Sequence, residues 1–484
     1  MIKNNPHRRK GFAVILTTLS LLLLVPMVGL AIDVSILYMI RAKLSAAVDA
    51  AVLAGAQGLA RGSDTATQNA NAQDAATRFF NANFPSGYWG TTNVNFPAPT
   101  IDDSVANYRT VSATASATAP LYFLRVFGAD TSLVSVSSQA GRRDALVMLV
   151  LDRSSSMTNP FQGTTACAVM IQDSAQFLSN FAEGRDMVGL VIFGSSVYSY
   201  PPSTTFATPD ANGRTVLSLI NQIKCQGNTD TVGGLQAGYS QIQAVNSTSR
   251  VNVIVLLTDG RPNGFIGDYT KLRKNPGSCD TAGNPLIGVA AQWAGGPKPS
   301  GTTAGLMPYV ATTPNGADGA AIAAAAGCQM AGDMTKMRND LIKMPAVDVF
   351  GNSTTGPYSQ YNTNSPYYGQ TATLDLTIPA QVEISSVNAV DNEATTIRTD
   401  AKLKPAIYTI ALEGNDPADP PDTLMLRKMA NDPSMESDAD PIAQMFFQQQ
   451  KGQTTGYFAD APDPSQLAAA FNSVAAQIVV RLSR

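Results

Sequence analysis

The sequence predicts an α/β domain with a doubly wound parallel sheet, preceded by a transmembrane helix and a small α+β region. After residue 144, short apolar runs that end in acidic or polar residues alternate with segments of helical periodicity, which is typical of strands buried on both faces of a parallel sheet. Near the N-terminus, one uncharged apolar run is long enough to cross a bilayer. We therefore expect a cytoplasmic tail at 1–10, a transmembrane helix at 11–32, its helical extension at 33–62, a small α+β spacer at 63–143, and the large domain at 144–484 with an insertion at about 262–390.

The predicted membrane anchor is the uncharged run 11–32. Its 22 residues span roughly 33 Å as a helix, which matches the hydrocarbon core of a bilayer. Four basic residues precede the run between positions 3 and 10, and Asp33 follows it, so the charge asymmetry places the N-terminus in the cytoplasm and the rest of the chain outside. A cleaved signal peptide is the alternative. The length of the apolar region and its unbroken continuation into an amphipathic helix favour an uncleaved anchor.

Beyond Asp33, the chain keeps an apolar face at helical spacing. This face consists of Leu37, Ile40, Leu44, Val48 and Ala51. The Ala-rich stretch 46–56 is rich in small residues, which allow another helix to approach closely, either in the membrane or beside it. We therefore expect the helix to continue outside the bilayer and to pack against a partner element.

Residues 11–56 resemble the N-terminal segment of TadG-like proteins, which belong to the tight-adherence (Flp) type IVb pilus assembly systems of bacteria. The resemblance is carried by GLAIDV after the apolar run and by the pattern R-x-x-L-x-x-A-x-D-A-A at Arg41, Leu44, Ala47, Asp49, Ala50 and Ala51. It implies a single-pass protein of the bacterial inner membrane with a periplasmic main domain, whose partners are pilus or other assembly components. Prepilins cleaved after a glycine usually have Glu five residues later. Leu16 holds that place after Gly11, which argues against processing by a prepilin peptidase.

The spacer combines a helical pattern at 70–83 with period-two patterns at 92–96, 108–117 and 133–138, which predict strands. A helix followed by strands is similar to the arrangement of pilin-like proteins. We expect a small antiparallel sheet that carries no chemistry of its own.

Composition argues against several classes of function. The formal net charge is −3, which argues against a nucleic-acid-binding face. His7, ahead of the apolar run, is the only histidine, so the large domain has no imidazole for a Ser-His-Asp triad, a cysteine–histidine protease or a histidine-ligated zinc. The sequence contains no GxxxxGKS/T phosphate loop and no GxGxxG fingerprint. These absences disfavour the usual hydrolytic chemistries and leave catalysis through carboxylates or lysine open. Together with the loops described below, they lead us to expect a binding protein rather than an enzyme.

The apolar run 145–151 opens the large domain and leads into Asp152, Ser154 and Ser156. The run fits a strand buried on both faces. The three oxygen-bearing side chains alternate in the loop just past the carboxyl end of that strand, a position that suits a divalent cation of the Mg2+ type. A serine-rich turn that caps the next helix is the alternative interpretation of the same residues.

The remaining elements of the large domain alternate along the chain. Five further segments predict strands, at 187–193, 197–200, 250–260, 405–412 and 457–460, of which 197–200 turns back as an edge strand. Five segments predict helices, at 166–181, 216–223, 233–245, 423–430 and 464–482. The alternation favours an open, doubly wound sheet.

In a doubly wound sheet, ligands bind beyond the carboxyl ends of the strands, where the strand order reverses. Asp152 and Asp259 both follow such strands, and in a strand order of 3-2-1-4-5 these two strands are neighbours at that point. Between them in the sequence, the glycine-flanked loop GNTDTVGG offers Thr229, Asp230 and Thr231. The sequence therefore predicts a cluster of oxygen ligands from three loops at one edge of the sheet.

These three loops resemble the metal-ion-dependent adhesion site of the von Willebrand factor A domain. The family pattern is D-x-S-x-S after the first strand, a threonine in a G-x-T-x-T loop and an aspartate after the fourth strand, which correspond to Asp152, Ser154, Ser156, Thr229 and Asp259. The resemblance implies a von Willebrand factor A-type (Rossmann-like) fold that binds Mg2+, with Mn2+ or Ca2+ as alternative ions. It further implies that the hydroxyls coordinate the metal directly, that the acids often act through water, and that a partner protein supplies a carboxylate. The sequence departs from the pattern at Ser155, where glycine is frequent, and at Asn228, and neither departure removes a ligand.

Residues 261–390 are far too long for an ordinary connection in an α/β domain, which usually has ~2–6 residues. We expect an insertion with a helix at 317–342 and a Tyr-rich segment at 358–368 that could serve as a contact surface. Because the insertion follows Asp259 directly, it either shapes the partner-binding face, covers the site or is a flexible decoration.

The four cysteines show no CxxC spacing and allow three pairings into two disulfides. Cys167 lies at the start of the helix that follows residues 153–156, named here the serine loop. Cys225 lies just before residues 227–234, named here the threonine loop, and in this fold the two cysteines should be near each other. We therefore hypothesise the bridges Cys167–Cys225 and Cys279–Cys328.

Three functions are compatible with these features. The leading interpretation is a membrane-anchored binding protein that uses Mg2+ to hold a partner's carboxylate in pilus assembly or surface adhesion. The second is a structural envelope scaffold or minor pilus component in which the metal only stabilises loops. The least favoured is a hydrolase with Ser154 or Ser156 as nucleophile, for which Lys224 or Lys271 would have to replace the missing histidine.

Overall fold

The computed structural model of the chain describes residues 8–268, 287–292, 304–308, 312–316, 343–357, 369–376, 378–413 and 420–482. The chain divides into two units, of which the first contains residues 1–142 with 483–484 and the second contains residues 143–482. The second unit corresponds to the predicted α/β domain.

The first unit begins with one long helix, α1, at Arg8–Gly58. The helix continues through Pro26, so the predicted transmembrane segment and its extension form one element. By length and composition the apolar part of α1 is a candidate membrane span. Its large apolar side chains between residues 14 and 32 are exposed, as they must be if lipid rather than protein surrounds them.

The other elements of the first unit are α2 at Thr65–Asn83, β1 at Thr92–Asn95, β2 at Thr100–Asp102, β3 at Tyr108–Pro120 and β4 at Thr131–Arg143. Strand β3 is central, because it pairs antiparallel with β1 and β2 and also pairs with β4. The predicted order of a helix followed by strands is therefore observed, with β3 and β4 longer than their sequence patterns indicated.

The apolar face of α1 is buried against α2 and β3. Its predicted members are fully or partly buried: Leu37, Ile40, Leu44, Val48 and Ala51. The two helices approach so closely that a Cβ at Gly58 would lie 2.8 Å from the Cα of Ala72. The small residues of α1 therefore admit α2 of the same chain, beyond the apolar span.

The second unit is built on a six-stranded sheet flanked by helices. Its strands are β5 at Ala145–Asp152, β6 at Pro160–Phe161, β7 at Thr164–Thr165, β8 at Met187–Phe193, β9 at Val197–Ser203, β10 at Val251–Thr258, β11 at Gly264–Asp268, β12 at Ile287–Gln292, β13 at Ala304–Pro308, β14 at Ala406–Leu412 and β15 at Tyr457–Ala461. Its helices are α3 at Ala166–Phe177, α4 at Val216–Ile220, α5 at Thr231–Val245, α6 at Pro379–Thr399, α7 at Thr423–Ala430, α8 at Pro441–Gln449 and α9 at Leu467–Leu482.

The main sheet has the order β9-β8-β5-β10-β14-β15. All neighbours are parallel except β8 and β9, which pair antiparallel, so 197–200 does turn back as an edge strand. Numbered along the chain, the first five strands follow the predicted order 3-2-1-4-5. The strands that precede Asp152 and Asp259 are therefore neighbours.

Helices cover both faces of this sheet and form two cores. Alternate residues of β5 point to opposite faces, so Leu149 and Leu151 pack with α3, α4 and α9, whereas Met148 and Val150 pack with α5, α6 and α7. Every residue of β5 and β10 is buried. The doubly wound α/β fold expected from the sequence is therefore confirmed.

Helix α6 overlaps the last part of the predicted insertion. It packs into the core through Val382, Val387 and Val390, so the insertion ends before this helix rather than at about 390. The sequence pattern missed it because many of its buried positions carry polar side chains, among them Gln381, Glu383, Ser385, Ser386 and Asn388.

Within the insertion, β11, β12 and β13 form a small antiparallel sheet that the sequence analysis did not predict. Helix α8 was also missed. The helix predicted at 317–342 and the Tyr-rich segment at 358–368 lie outside the described residues.

Cys167 and Cys225 form a disulfide, with their Cα atoms 6.1 Å apart, which confirms this half of the hypothesised pairing. The bridge joins the first turn of α3 to the chain just before the threonine loop. Cys279 and Cys328 lie outside the described residues, so their pairing stays a prediction.

We expect the double variant Cys167→Ser/Cys225→Ser to lose about 3 kcal/mol of unfolding free energy, because the bridge restricts the unfolded chain over a long loop. Urea unfolding of the full chain in detergent, followed by circular dichroism, would measure this loss against the wild-type protein in the same detergent. An unchanged unfolding midpoint would contradict a stabilising role for the bridge.

Candidate functional site

Strands β5 and β10 end at the same edge of the sheet and bring two acids together. Their parallel register aligns Leu151 with Leu257, so Asp152 lies level with Thr258, and Asp259 follows directly. The hydroxyl of Thr258 donates a hydrogen bond to Oδ2 of Asp152 at 2.6 Å. All three polar side chains are buried.

The serine loop turns back over these two carboxylates. The backbone N–H of Ser154 donates to Oδ1 of Asp152 at 2.7 Å. The hydroxyls of Ser154 and Ser156 lie 3.0 Å apart, and both donate to Oδ1 of Asp259, at 3.3 and 2.8 Å. Four of the five predicted site residues therefore meet in one cluster of side chains.

The serine loop does not serve as a helix cap. Ser154 precedes the short 3-10 helix Ser155–Thr158, but its hydroxyl makes no capping bond. Helix α3 is capped instead by Thr165, whose hydroxyl accepts a hydrogen bond from the N–H of Ala168 at 3.2 Å. The alternative interpretation of the serines as a capped turn is therefore wrong.

The two buried carboxylates are electrostatically unfavourable as a pair. Burial raises the pKa of Asp152 to about 7, and the negative charge of Asp259 is the second cause of this rise. Hydrogen bonds from Thr258 and Ser154 act in the opposite direction and do not offset these two effects. Asp152 is therefore only partly ionised at neutral pH, and positive charge brought into the site would favour the ionised form of both acids.

The threonine loop is fixed beside this pair by backbone hydrogen bonds. The N–H of Thr229 donates to Oδ1 of Asn263 at 2.8 Å, and the N–H of Asn263 donates to the carbonyl of Thr229 at 3.1 Å. The carbonyl of Gly227 accepts two bonds from Ser155, one from its N–H and one from its hydroxyl, both at 2.9 Å. The loop after β10 and the serine loop therefore both hold the threonine loop, and Thr229 is buried between them.

The other two polar side chains of this loop differ in role. Asp230 caps α5, because its Oδ1 accepts the N–H of Gly233 at 3.0 Å. Thr231 begins α5, and its buried hydroxyl has no hydrogen-bond partner within the described part of the chain. An ordered water or a bound ion would satisfy that hydroxyl.

Arg153 fastens part of the insertion beside the site. Its guanidinium is fully buried and donates to three backbone carbonyls of the segment 312–316 at 3.3–3.4 Å, and to the hydroxyl of Thr312 at 3.0 Å. Nε2 of Gln226 also donates to the carbonyl of Gly316 at 2.6 Å. This segment of the insertion is therefore an ordered border of the serine and threonine loops rather than a free decoration.

The donor set fits a hard divalent cation. All five predicted ligands offer oxygen, and a cation would supply the positive charge that the Asp152–Asp259 pair needs. Among the described residues there is no group of three or more His, Cys, Asp or Glu side chains that could hold a metal, so an ion here would depend on the hydroxyls as well as the acids. Such a donor set suits Mg2+ better than zinc, which favours nitrogen and sulfur ligands.

Sequence reasoning missed several residues that position the site. They are Arg153, Ser195, Thr258 and Asn263. Ser195 accepts two hydrogen bonds from Asn228, one from its N–H and one from its side-chain amide, at 2.9 and 3.0 Å. Only Arg153 carried a signal in the sequence, as a charged residue placed between two predicted ligands. The partners of the others depend on contacts between loops that are distant along the chain.

Two family models match the chain. Residues 147–261 match the von Willebrand factor type A domain, and residues 11–58 match the family described as putative Flp pilus-assembly TadE/G-like. The resemblance to the von Willebrand factor A domain and the resemblance of the N-terminal segment to the TadG-like proteins are therefore confirmed. The chain carries a von Willebrand factor type A domain after an N-terminal helix of the TadE/G-like type.

One curated relative matches about a quarter of the chain. Inter-alpha-trypsin inhibitor heavy chain H1 from Sus scrofa is 31% identical over 134 residues, which are 27% of this chain and 14% of that protein. The match thus spans only a small part of the relative's length.

Two solved structures from bacterial pili are similar to this chain. The PilB minor pilin from Streptococcus sanguinis is 16% identical, with 81% of this chain and 79% of that chain covered and a TM-score of 0.35. The vWF domain of the type V pili tip protein Mfa5 from Porphyromonas gingivalis is 17% identical, with 71% and 97% covered and a TM-score of 0.36.

In metal-free solution, we expect Asp259→Asn to raise the unfolding free energy by about 1–3 kcal/mol, the equivalent of one to two pKa units. The neutral amide removes the repulsion with Asp152, while its oxygen still accepts the bonds from Ser154 and Ser156. Thermal unfolding in EDTA at pH 7.5, about half a unit above the raised pKa of Asp152, would measure the change.

The control for this measurement is Glu436→Gln, which neutralises an exposed carboxylate in the same unit and should leave stability unchanged. A loss of stability for Asp259→Asn in EDTA would show that the two carboxylates do not repel each other in the folded protein.

Proposed function

We propose that this chain is a membrane-anchored, extracytoplasmic binding protein that acts in Flp pilus assembly or surface adhesion through a Mg2+-dependent site. The observation that carries the proposal is the meeting of Ser154 and Ser156 on one carboxylate oxygen of Asp259, beside the buried Asp152. This cluster gathers hard oxygen ligands at the edge of the sheet where doubly wound domains bind their ligands.

The five residues proposed to hold the ion have complementary roles. The hydroxyls of Ser154, Ser156 and Thr229 are neutral oxygen donors, and the carboxylates of Asp152 and Asp259 supply the negative charge. Bound Mg2+ would supply a Lewis-acidic centre that attracts an anionic oxygen. The two carboxylates balance the formal charge of Mg2+, and the three neutral hydroxyls add no further negative charge. The ion would therefore remain Lewis-acidic toward a sixth oxygen ligand, which a carboxylate from a partner protein would provide.

The partner class follows from this site and from the N-terminal segment. The TadE/G-like match of the helix supports pilus or other assembly components as partners. The candidate membrane span with basic residues before it supports anchoring in the inner membrane, with the N-terminus in the cytoplasm and the binding domain in the periplasm. In that location the disulfide Cys167–Cys225 is also chemically stable.

A structural scaffold is the second candidate, because the same cluster could hold an ion only to stabilise its three loops. Hydrolysis is disfavoured, since the hydroxyls of Ser154 and Ser156 donate to Asp259 rather than to a basic side chain, and the large domain contains no histidine. Lys271, one of the two lysines weighed as a base, lies outside the described residues.

We expect Asp152→Ala to weaken Mg2+ binding at least tenfold, about 1.4 kcal/mol, because it removes one of two charged ligands. Isothermal titration of the full chain in detergent with MgCl2 would measure the affinity. Asp173→Ala is the matched control, since it removes a buried carboxylate of α3 outside the three loops and should bind Mg2+ as the wild type does. Equal affinity in the wild type and Asp152→Ala would contradict the proposed ligand set.

The binding function is tested by capture of envelope proteins by the full chain, with and without EDTA. We expect capture to fall on chelation and in Asp152→Ala but not in Asp173→Ala. Under the scaffold alternative, Asp152→Ala lowers the melting temperature and leaves pilus assembly intact, which counts of pili by electron microscopy would reveal. Capture and pilus number that are indifferent to both chelation and Asp152→Ala would overturn the metal-dependent mechanism.

A further inference from the structure

A loop of the first unit is fixed to α1 at the end of the apolar span. The loop, residues 122–127 with the sequence YFLRVF, follows β3 and is named here the apolar loop. The carboxylate of Asp33 accepts hydrogen bonds from the backbone N–H groups of Tyr122, Phe123 and Leu124, at distances between 2.8 and 3.3 Å. Asp33 is the first charged residue after the uncharged run 11–32. The apolar loop therefore lies at the level where that run ends.

A second contact fixes the loop one turn further into the span. Phe123 packs so closely on α1 that a Cβ at Gly29 would lie 2.8 Å from its side chain. Gly29 is thus one of the few buried positions in the apolar part of the helix. The glycine and the aspartate, four residues apart on one face of α1, hold the loop in a defined place.

The apolar loop exposes several large apolar and aromatic side chains that are adjacent in the sequence. Val126 is 81% exposed, Phe127 is 71% exposed and Tyr122 is 50% exposed. Trp89, 48% exposed, lies in the turn Tyr88–Gly90 next to the loop, since a Cβ at Gly90 would lie 3.3 Å from the hydroxyl of Tyr122. Aromatic side chains at this level of a membrane protein favour the boundary between lipid and water.

We propose that the apolar loop inserts into the interfacial layer of the same bilayer that α1 crosses, as a second membrane contact of the first unit. The inference rests on the proposed function in one respect, the anchoring of α1 in a membrane. Val126 and Phe127 enter the layer between headgroups and acyl chains, while Tyr122 and Trp89 lie at the aromatic belt. Arg125, exposed between them and 3.9 Å from Asp130, remains at the level of the lipid phosphates.

Asp33 makes this arrangement chemically consistent. An unpaired carboxylate next to the hydrocarbon core is costly, and so are the free N–H groups of a loop at the same depth. The hydrogen bonds from the three N–H groups satisfy both the carboxylate and the loop backbone, because the carboxylate caps the backbone at the start of the 3-10 helix Leu124–Phe127. Lipid is the favoured occupant over a protein partner, because it surrounds a single span at this level.

The test compares two tryptophan probes in the full chain, reconstituted in phosphatidylcholine/phosphatidylglycerol vesicles, on a background in which Trp89 and Trp293 are replaced by Phe. One probe is Phe127→Trp in the apolar loop. The matched control is Val105→Trp, which replaces an apolar side chain of similar exposure, 58%, in the loop between β2 and β3. That loop leads into Arg109, which donates to the carbonyl of Leu59 at the far end of α1. It therefore lies roughly 38 Å along the helix from Asp33.

We expect Phe127→Trp to show blue-shifted emission, strong quenching by lipids brominated near the headgroup and a severalfold weaker quenching by aqueous acrylamide than Val105→Trp. Equal acrylamide quenching of the two probes would overturn the proposal. Shielding of Phe127→Trp from acrylamide without quenching by brominated lipid would also overturn it, because a protein surface would then cover the loop.

Resistance of the protein to alkaline extraction from the vesicles separates this inference from the proposed anchoring. Extraction of the chain by alkali shows that α1 does not span the bilayer, in which case the anchoring and the inference both fail. A chain that resists extraction but leaves Phe127→Trp accessible to acrylamide contradicts the inference alone.

Because Val126 and Phe127 are exposed, Val126→Asp should fold like the wild type and reduce the lipid quenching of Phe127→Trp.

Discussion

The candidate site depends on the parallel pairing of β5 with β10. Their register puts Asp152 level with Thr258 and leaves Asp259 one residue beyond the strand, so two carboxylates are brought together at one edge of the sheet. Because every residue of both strands is buried, this register is fixed by the two cores and cannot slip without exposing them. The sheet therefore holds two carboxyl groups close together in a site from which water is excluded. Burial, and after it the negative charge of Asp259, raise the pKa of Asp152.

Loops that are distant in sequence complete the arrangement around these two acids. Asn263 and Ser155 hold the threonine loop from two sides through backbone hydrogen bonds, and the disulfide Cys167–Cys225 ties the base of that loop to α3. Arg153 extends the same scheme to the insertion by fixing the segment 312–316. A partner that approaches the proposed ion would therefore meet an ordered border formed by the chain's own insertion.

The first unit uses a similar device on a helix. The carboxylate of Asp33 accepts hydrogen bonds from three backbone N–H groups of the apolar loop. Gly29, which has no side chain, allows Phe123 to pack against the helix. Farther along α1, Gly58 admits α2 in the same way. Small residues of α1 thus serve packing within one chain, which links the end of the apolar span to a folded unit with its own core.

Much of this protein could be read from the sequence, because its signals are local. Period and length predicted the long apolar helix and the buried strands, and the spacing of Asp152, Ser154 and Ser156 predicted that their oxygens lie at one end of a strand.

Only the tertiary structure decided how these parts meet. It showed that the serine hydroxyls turn to Asp259 instead of capping a helix, and that Asn263 and Arg153 hold the neighbouring loops. It also showed that α6 belongs to the core although its buried face is largely polar. Periodicity records which face of an element avoids water, whereas contacts between loops and buried polar side chains depend on residues far apart in the chain.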